Sequence, residues 1–484
     1  MQRKIKAFQY LKKVRGCLFY LKVLMRKGIF VALLAVSLLT GFSRVPEIKD
    51  IRDISQDHHV FTEAREKEFS RLDQELQKKA DAFHNAKFFS PWHQDKSRFT
   101  LADVKDEFDK YGKEQGYGRK GKRHPRSWMK KLLMNARLQD YPLEGYPAIT
   151  LRNTDLRVLP TGDAHLSDPG NCALPFDNLQ NSSVDADTPI YVSHVTKDKN
   201  WVLAETNFAL GWIPARHIAR VDADFMRQWE NPSYVTIIKD KTPVSEKGGK
   251  LLFKAPLGAF FPKVGEDTHA FQILVAFTDR RGRAFSKKIS LGKERAVTKP
   301  LALTAANMGR IANQLTGEPY GWGGLYQRRD CSSTLMDLFA PFGIWLPRNS
   351  GHQAKMAGVF IDLSKLSPEE KEKAILKQGI PYFTLLWLKG HIMLYVGERE
   401  GRVLVFHNFW KVKTMAVKGR QGRRIVGKAA ITTLNPGREL RRENTSGDIL
   451  PAILGMTLLW PPPLGTADVP PGGGDHNEPF TPGS

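Results

Sequence analysis

The stretch "GGLYQRRDCSSTLMDLF", residues 323–339, decides how the chain is read. A glycine-rich loop runs into Asp330. Leu335, Met336, Leu338 and Phe339 then recur at helical spacing. Aspartate is a preferred N-cap because its carboxylate accepts the unpaired amides of a first turn, so the pattern predicts a helix beginning at Cys331. A cysteine in a first helical turn sits among unsatisfied N–H groups at the positive end of the helix dipole. That placement favours the thiolate and suits a nucleophile. The competing readings are an inert buried cysteine and a disulfide to Cys172. Cys17 is the only other cysteine, so the chain has no disulfide framework.

A nucleophilic thiol needs an imidazole base, and the base needs a group to orient it. "GHIMLYVGEREGRVLVFHNFW" reads as a β-hairpin with its turn centred on Arg399, with His391 eight residues before that centre and His407 eight after it. Regular pairing would place the two directly opposite, roughly 5 Å apart at Cβ. His391 is then the base and His407 the group that fixes its tautomer. A bulge or a register slip would alter this geometry. His352, in "RNSGHQ", reads as a surface histidine on a loop. No Cys/His cluster has zinc spacing, and the chemistry requires no cofactor or metal.

Outward from this region the texture changes several times. Residues 146–222 and 232–297 are short alternating segments with turn punctuation, such as "TPIYVSH" and "AFQILVAFTD", and predict two consecutive small β-barrels. "GWIPARHI" resembles the last strand and one-turn helix of bacterial SH3-like domains, with Trp212 in the core. Residues 298–460 carry an α+β pattern. The segment "GDILPAILGMTLLWPPP" is expected to pack as its last piece, before a Pro/Gly-rich tail at 461–484 expected to be disordered. Residues 44–145 are read as a helical region, with residues 60–86 a charged, solvated spacer.

Residues 1–43 form a leader. Basic residues precede a short apolar run at 29–39, followed by Gly41-Phe42-Ser43, the order of a secretory signal. A start at Met25 would give a signal of more ordinary length. No cysteine follows Gly41, which argues against lipidation. Export to the periplasm or cell envelope is expected, with membrane association if the leader stays attached. The formal charge of +24 predicts attraction to an anionic wall or membrane surface. No nucleic-acid motif accompanies it, so nucleic acid is not expected as a partner.

The stretch "PYGWGG…RRDCSSTLMDLF…LPRNSGHQ…GHIMLYVG…VFHNFW" resembles the NlpC-type cell-wall cysteine peptidases, a papain-like family, over about 130 residues from 301 to 433. The segment order resembles the members in which an N-terminal stabilising segment and two SH3-like domains precede the catalytic domain. The resemblance implies a multi-domain fold, two SH3-like β-barrels followed by an α+β papain-like catalytic domain. It also implies peptidoglycan stem peptides as substrate, cleaved between γ-D-glutamate and the diamino acid. By the same resemblance Cys331, His391 and His407 are catalytic. Asp330 would pair with a free N-terminal L-alanine ammonium, Tyr320 and Ser332 would line that pocket, and Arg329 would support the aspartate. Ser333 stands where the family usually has glycine. A wall-binding protein, an amidase and an acyltransferase on the same fold remain alternatives.

Overall fold

A computed structural model describes residues 47–70, 74–113, 116–143, 145–167, 176–417, 420–440 and 449–459. The leader, Cys172 and the Pro/Gly-rich tail lie outside the described residues. From Lys49 onward the chain is one compact unit.

Six helices come first: α1 (Lys49–Asp53), α2 (His58–Glu63), α3 (Glu66–Ser70), α4 (Gln74–Phe89), α5 (Leu101–Lys113) and α6 (Arg126–Ala136). The expected solvated spacer is instead part of the core. His58 is fully buried, 2.9 Å from the Tyr382 hydroxyl and edge-on to Phe406 at 4.6 Å. Phe69 packs on Phe383 at 5.2 Å. Gln77 in α4 donates to the carbonyls of Leu301 and Phe342, and Lys299 is bound by Asp81 and Asn85. The segment reads as hydrophilic because much of what it buries is polar: His58, Thr62, Gln77 and His84 all find their places through other parts of the chain. Each short helix contributes only one or two apolar residues, too few to show a helical period.

The first barrel contains β1 (Tyr146–Thr150), β2 (Thr154–Arg157), β3 (Gln180–Val184), β4 (Pro189–Val195), β5 (Trp201–Glu205), β6 (Leu210–Pro214) and β7 (Ile218–Arg220). They are ordered β3-β2-β6-β5-β4-β1-β7. Trp212 is buried in it. After α7 (Ala223–Trp229) comes the second barrel: β8 (Tyr234–Ile237), β9 (Thr242–Ser245), β10 (Leu251–Ala255), β11 (Phe260–Glu266), β12 (Ala270–Thr278), β13 (Ala284–Gly292) and β14 (Ala296–Thr298). One aromatic cluster, Phe89, Trp92, Phe225, Trp229, Tyr234 and Phe260, cements α4 to both barrels, and Trp92 Nε1 donates to the Ala148 carbonyl at 2.7 Å.

The third domain is α+β and papain-like. α8 (Ala305–Leu315) and α9 (Cys331–Phe339) are followed by α10 (Ser350–Met356), β15 (Val359–Asp362), α11 (Pro368–Gln378), β16 (Thr384–Leu388), β17 (His391–Arg399), β18 (Arg402–Val417), β19 (Arg420–Thr433), α12 (Ile449–Ala452) and β20 (Gly455–Leu458). The sheet is antiparallel, ordered β15-β20-β16-β17-β18-β19. Leu335, Leu338 and Phe339 of α9 are buried in the same core as Ile392, Leu394 and Phe406.

The β17–β18 hairpin corrects the expected register. Its turn is at Glu400 and Gly401, both with positive φ, and a bulge at Val396–Gly397 adds a residue to β17. Leu394 therefore pairs with Phe406, which carries His391 opposite Phe409 rather than opposite His407. The offset is two residues. Since side chains alternate with period two, both histidines still face the same side of the sheet, as diagonal neighbours.

The barrels fix the nucleophile loop through close contact. Gly323 and Gly324 have φ of 56° and 77° and lie against β3 of the first barrel. A Cβ at Gly324 would fall 2.8 Å from the Ser183 amide nitrogen. Gly324→Ala is expected to destabilise the protein by on the order of 1–3 kcal/mol, from strain and overpacking. Gly248→Ala is the control: a Cβ there would have no atom within 4 Å, and the change is expected to alter stability by less than about 0.5 kcal/mol. Urea unfolding of both variants measures the difference.

Candidate active site

Cys331 is the first residue of α9 and its thiol is unpaired. Asp330 caps the helix in a reciprocal capping box. Its carboxylate accepts from the Ser333 amide, and Ser333 Oγ accepts from the Asp330 amide. The same carboxylate takes the Gly323 amide, the hydroxyls of Ser332 and Ser333, and both terminal nitrogens of Arg348, at 3.1 and 2.6 Å. Burial alone would raise the Asp330 carboxyl. The Arg348 guanidinium and the bonds from Ser333 outweigh it and hold the pKa below the usual range, so Asp330 stays charged. Arg348 Nε reaches across to Ser182 Oγ of β3 at 2.8 Å, tying this charge pair to the first barrel.

The base is oriented by a chain of hydrogen bonds whose direction can be worked out. His391 Nε2 lies 2.8 Å from His407 Nδ1, and His407 Nε2 lies 3.0 Å from Thr432 Oγ1. The Thr432 hydroxyl donates to the Thr433 carbonyl at 2.8 Å. A carbonyl only accepts, so the single hydroxyl proton of Thr432 is committed there and its oxygen must accept from His407 Nε2–H. His407 Nδ1 then carries a lone pair and accepts from His391 Nε2–H. This leaves the lone pair of His391 on Nδ1, available to take a proton. Phe409 stacks on the His407 ring at 4.0 Å and fixes its plane.

Burial governs the protonation states. It pushes the Cys331 thiol up to about 12, and the Asp330 carboxylate adds to this; the amide of Ile392, Arg348 and the amide of Ser332 pull weakly the other way. Burial likewise lowers His391 to about 4 against a smaller upward pull from Asp330. His407 is also held neutral, first by burial and then by His391. These shifts oppose the thiolate that the helix start favours. Two or three amides at a helix end do not compensate desolvation plus a neighbouring carboxylate. Burial thus favours the neutral thiol and the neutral imidazole.

The structure brings most of the expected site residues together. Cys331, Asp330 and Ser332 share the α9 start. Tyr320 is buried beside them, its hydroxyl pushed well above its ordinary value by burial, Cys331 and Asp330. Arg329 does not contact Asp330. Its Nη atoms bind both oxygens of Asp240 at 2.9 and 2.6 Å, and its Nε binds Asp337 at 2.6 Å. The support expected from Arg329 comes from Arg348, because an N-cap residue and its predecessor point to different sides of the helix start. His352 lies in α10, not on a loop.

Other residues complete the site; Trp322, Gln353, Asn408 and Trp410 lie in the motifs that carry the resemblance, with no individual role read for them. Gln353 Nε2 bonds the carbonyls of Ser332 and Pro347, and Asn408 Nδ2 bonds the Arg329 carbonyl and Thr334 Oγ1. Phe176, Trp322 and Trp410 form an aromatic wall beside Tyr320, with centroids 5.4–6.3 Å apart. Among the described residues, no group of His, Cys, Asp and Glu is arranged to hold a metal.

A buried cysteine at a helix start, a histidine on the neighbouring strand and a second polar residue orienting it define a papain-like cysteine peptidase site. Family models agree segment by segment: the NLPC_P60 stabilising domain at residues 28–141, an SH3 domain of SH3b1 type at 166–214, an SH3 domain of SH3b2 type at 222–268, and the NlpC/P60 family at 317–419. Residues 317–419 therefore carry an NlpC/P60 domain, of a family whose members are cysteine peptidases that hydrolyse peptidoglycan. Among solved structures it is similar to an NlpC/P60 endopeptidase from Photobacterium damselae subsp. piscicida, with 26% identity over 86% of this chain and 98% of the other, and a TM-score of 0.74. An NlpC/P60 family protein from Bacillus cereus matches at 17% identity over 64% of this chain and 98% of the other, with a TM-score of 0.42. No curated protein matches significantly.

Two measurements test this chemistry. Alkylation of Cys331 by iodoacetamide is expected to be slow at pH 7 and to accelerate steadily toward pH 10, since the thiolate fraction grows with pH below a raised pKa. A preformed thiolate–imidazolium pair would give a rate independent of pH across that range. Thr432→Val removes the acceptor that commits the His407 tautomer. It is expected to lower kcat by roughly 10-fold or more with little change in KM, whereas Thr432→Ser retains activity.

Proposed function

We propose that this protein is an exported cysteine endopeptidase that cleaves the γ-D-glutamyl–diamino acid bond of peptidoglycan stem peptides, with preference for a free N-terminal L-alanine. The observation that carries the reading is a buried, charged Asp330 directly before the nucleophile, in a pocket with Tyr320 and Ser332. A buried ammonium needs a carboxylate and polar acceptors. All six donors on Asp330 come from the chain, so a substrate ammonium competes with the Ser332 hydroxyl for Oδ1. β3 of the first barrel closes this side through Ser182 and Gln180, which suits a short peptide end rather than a continuing glycan. The aromatic wall gives the rest of the stem an apolar surface. The basic-flanked apolar run at 29–39 supports export to the cell envelope.

The residues divide the reaction between them. His391 Nδ1 takes the thiol proton as Cys331 Sγ attacks the γ-glutamyl carbonyl carbon. The oxyanion that forms is met by the Cys331 amide, which sits at the first helical position and makes no hydrogen bond among the described residues. The imidazolium then returns its proton through Nδ1 to the leaving amine, and the C–N bond breaks to leave a thioester. Water loses a proton to Nδ1 and attacks the thioester, and the thiolate leaves and is reprotonated. His391 keeps its Nε2–H on His407 throughout, so His407 needs no change of charge.

The test is mass spectrometry of products from L-Ala-γ-D-Glu-diaminopimelate and from its N-acetylated form, with the parent and Cys331→Ala. Release of diaminopimelate from the free peptide alone, lost in Cys331→Ala, is the expected result. Equal cleavage of both peptides would remove the ammonium pocket. Cleavage at a sugar–L-alanine amide instead would make the protein an amidase.

A further inference from the structure

A dense run of positive charge lies away from the nucleophile. Residues 116–131 contain seven lysines and arginines and no acidic residue. The second part of this run is the start of α6. Trp128, Met129, Leu132 and Ala136 face inward and pack on the first barrel. At 3.6 residues per turn the opposite face carries Arg126, Lys130, Lys131, Leu133 and Met134. All five are exposed, Leu133 by 47% and Met134 by 65%. Arg126, Lys130 and Lys131 form no ion pair among the described residues.

The face continues beyond the helix. His194 joins α6 to the next segment, since its Nε2 bonds the Ala136 carbonyl and its Nδ1 accepts from the Leu143 amide. Leu143 is 41% exposed beside the helix end. The Lys197 amide donates to the Asn135 carbonyl and brings an exposed lysine to the same edge. The backbone that presents this face is therefore fixed before anything binds.

We infer that this face of α6 docks on a membrane surface of anionic phospholipid headgroups. Among the described residues Arg126, Lys130 and Lys131 have no carboxylate partner on the helix face, Asp198 lying only at its edge beside Lys197, and such cations call for an anionic partner. Leu133, Met134 and Leu143 choose among anionic partners: a lipid surface offers hydrocarbon at shallow depth, and a soluble polyanion offers none. A helix lying in the interface with lysines around a short apolar ridge has this composition. Among the described residues no helix is long and apolar enough to cross a membrane. The inference does not depend on which stem bond is cleaved.

The test is co-sedimentation of residues 47–484, which contain the whole compact unit, with phosphatidylglycerol and with phosphatidylcholine vesicles. Three proteins are compared: the parent, Lys130→Glu/Lys131→Glu, and Leu133→Ser/Met134→Ser. None of these positions touches the active site, so cleavage of a soluble stem peptide by each variant reports on folding. The expected result is binding to phosphatidylglycerol only, weakened roughly tenfold or more in the charge variant and several-fold in the apolar variant. Three results would overturn the inference: equal binding to both lipids, no binding, or loss in the charge variant alone. If soluble polyphosphate also competes in that last case, the face is a site for an anionic polymer.

Discussion

One buried charge organises the site. The Asp330 carboxylate begins α9, fixes the Gly323 loop through its amide, and holds Arg348, which in turn grips Ser182 of the first barrel. A carboxylate at this depth is stable only because six donors surround it. Those donors come from the loop before the nucleophile, the helix after it and the segment following that helix. Remove the charge and the helix start, the loop and the barrel contact lose their common acceptor together. The same charge also acts on the thiol one residue away, adding to the burial that raises its pKa. The capping residue is thus both the scaffold of the nucleophile and a restraint on it.

The base is built on a different logic. No carboxylate orients His391. A neutral histidine does, and its tautomer is dictated by a threonine whose own proton is committed to a main-chain carbonyl. A chain of neutral donors and acceptors tolerates burial far better than a charged one. It suits a site where both imidazoles are desolvated, and its directionality comes from a group that cannot be turned around.

Much of this was legible in the sequence because it is local. Asp330 before an apolar helical face announced the start of α9, and two histidines flanking one hairpin announced the base and its partner. The diagonal geometry was not legible, since a bulge at Val396–Gly397 leaves no mark beyond a glycine. Long-range pairings were hidden for a physical reason. Whether Arg329 or Arg348 meets Asp330 depends on which way adjacent side chains leave a helix start. That Phe176 and Trp410 share a wall depends on the packing of the barrel against the sheet. The burial of α2 and α3 was masked by the polar residues it involves, and the raised thiol by a depth of burial that no spacing encodes.

Arg329 has a consequence for how such a chain can be divided. Its guanidinium is buried between Asp337 of the catalytic domain and Asp240, which belongs to the second barrel. The residue before Asp330 thus borrows half its counter-charge from another domain. Excised at its sequence boundaries, the catalytic domain would keep every group that does chemistry and Asp337, yet lose Asp240, which takes both Nη atoms of the arginine leading into its nucleophile. The barrels are in this sense not accessories joined by linkers. The peptidase is a single mechanical part, and shuffling its modules among unrelated chains would require the salt bridge to travel with them.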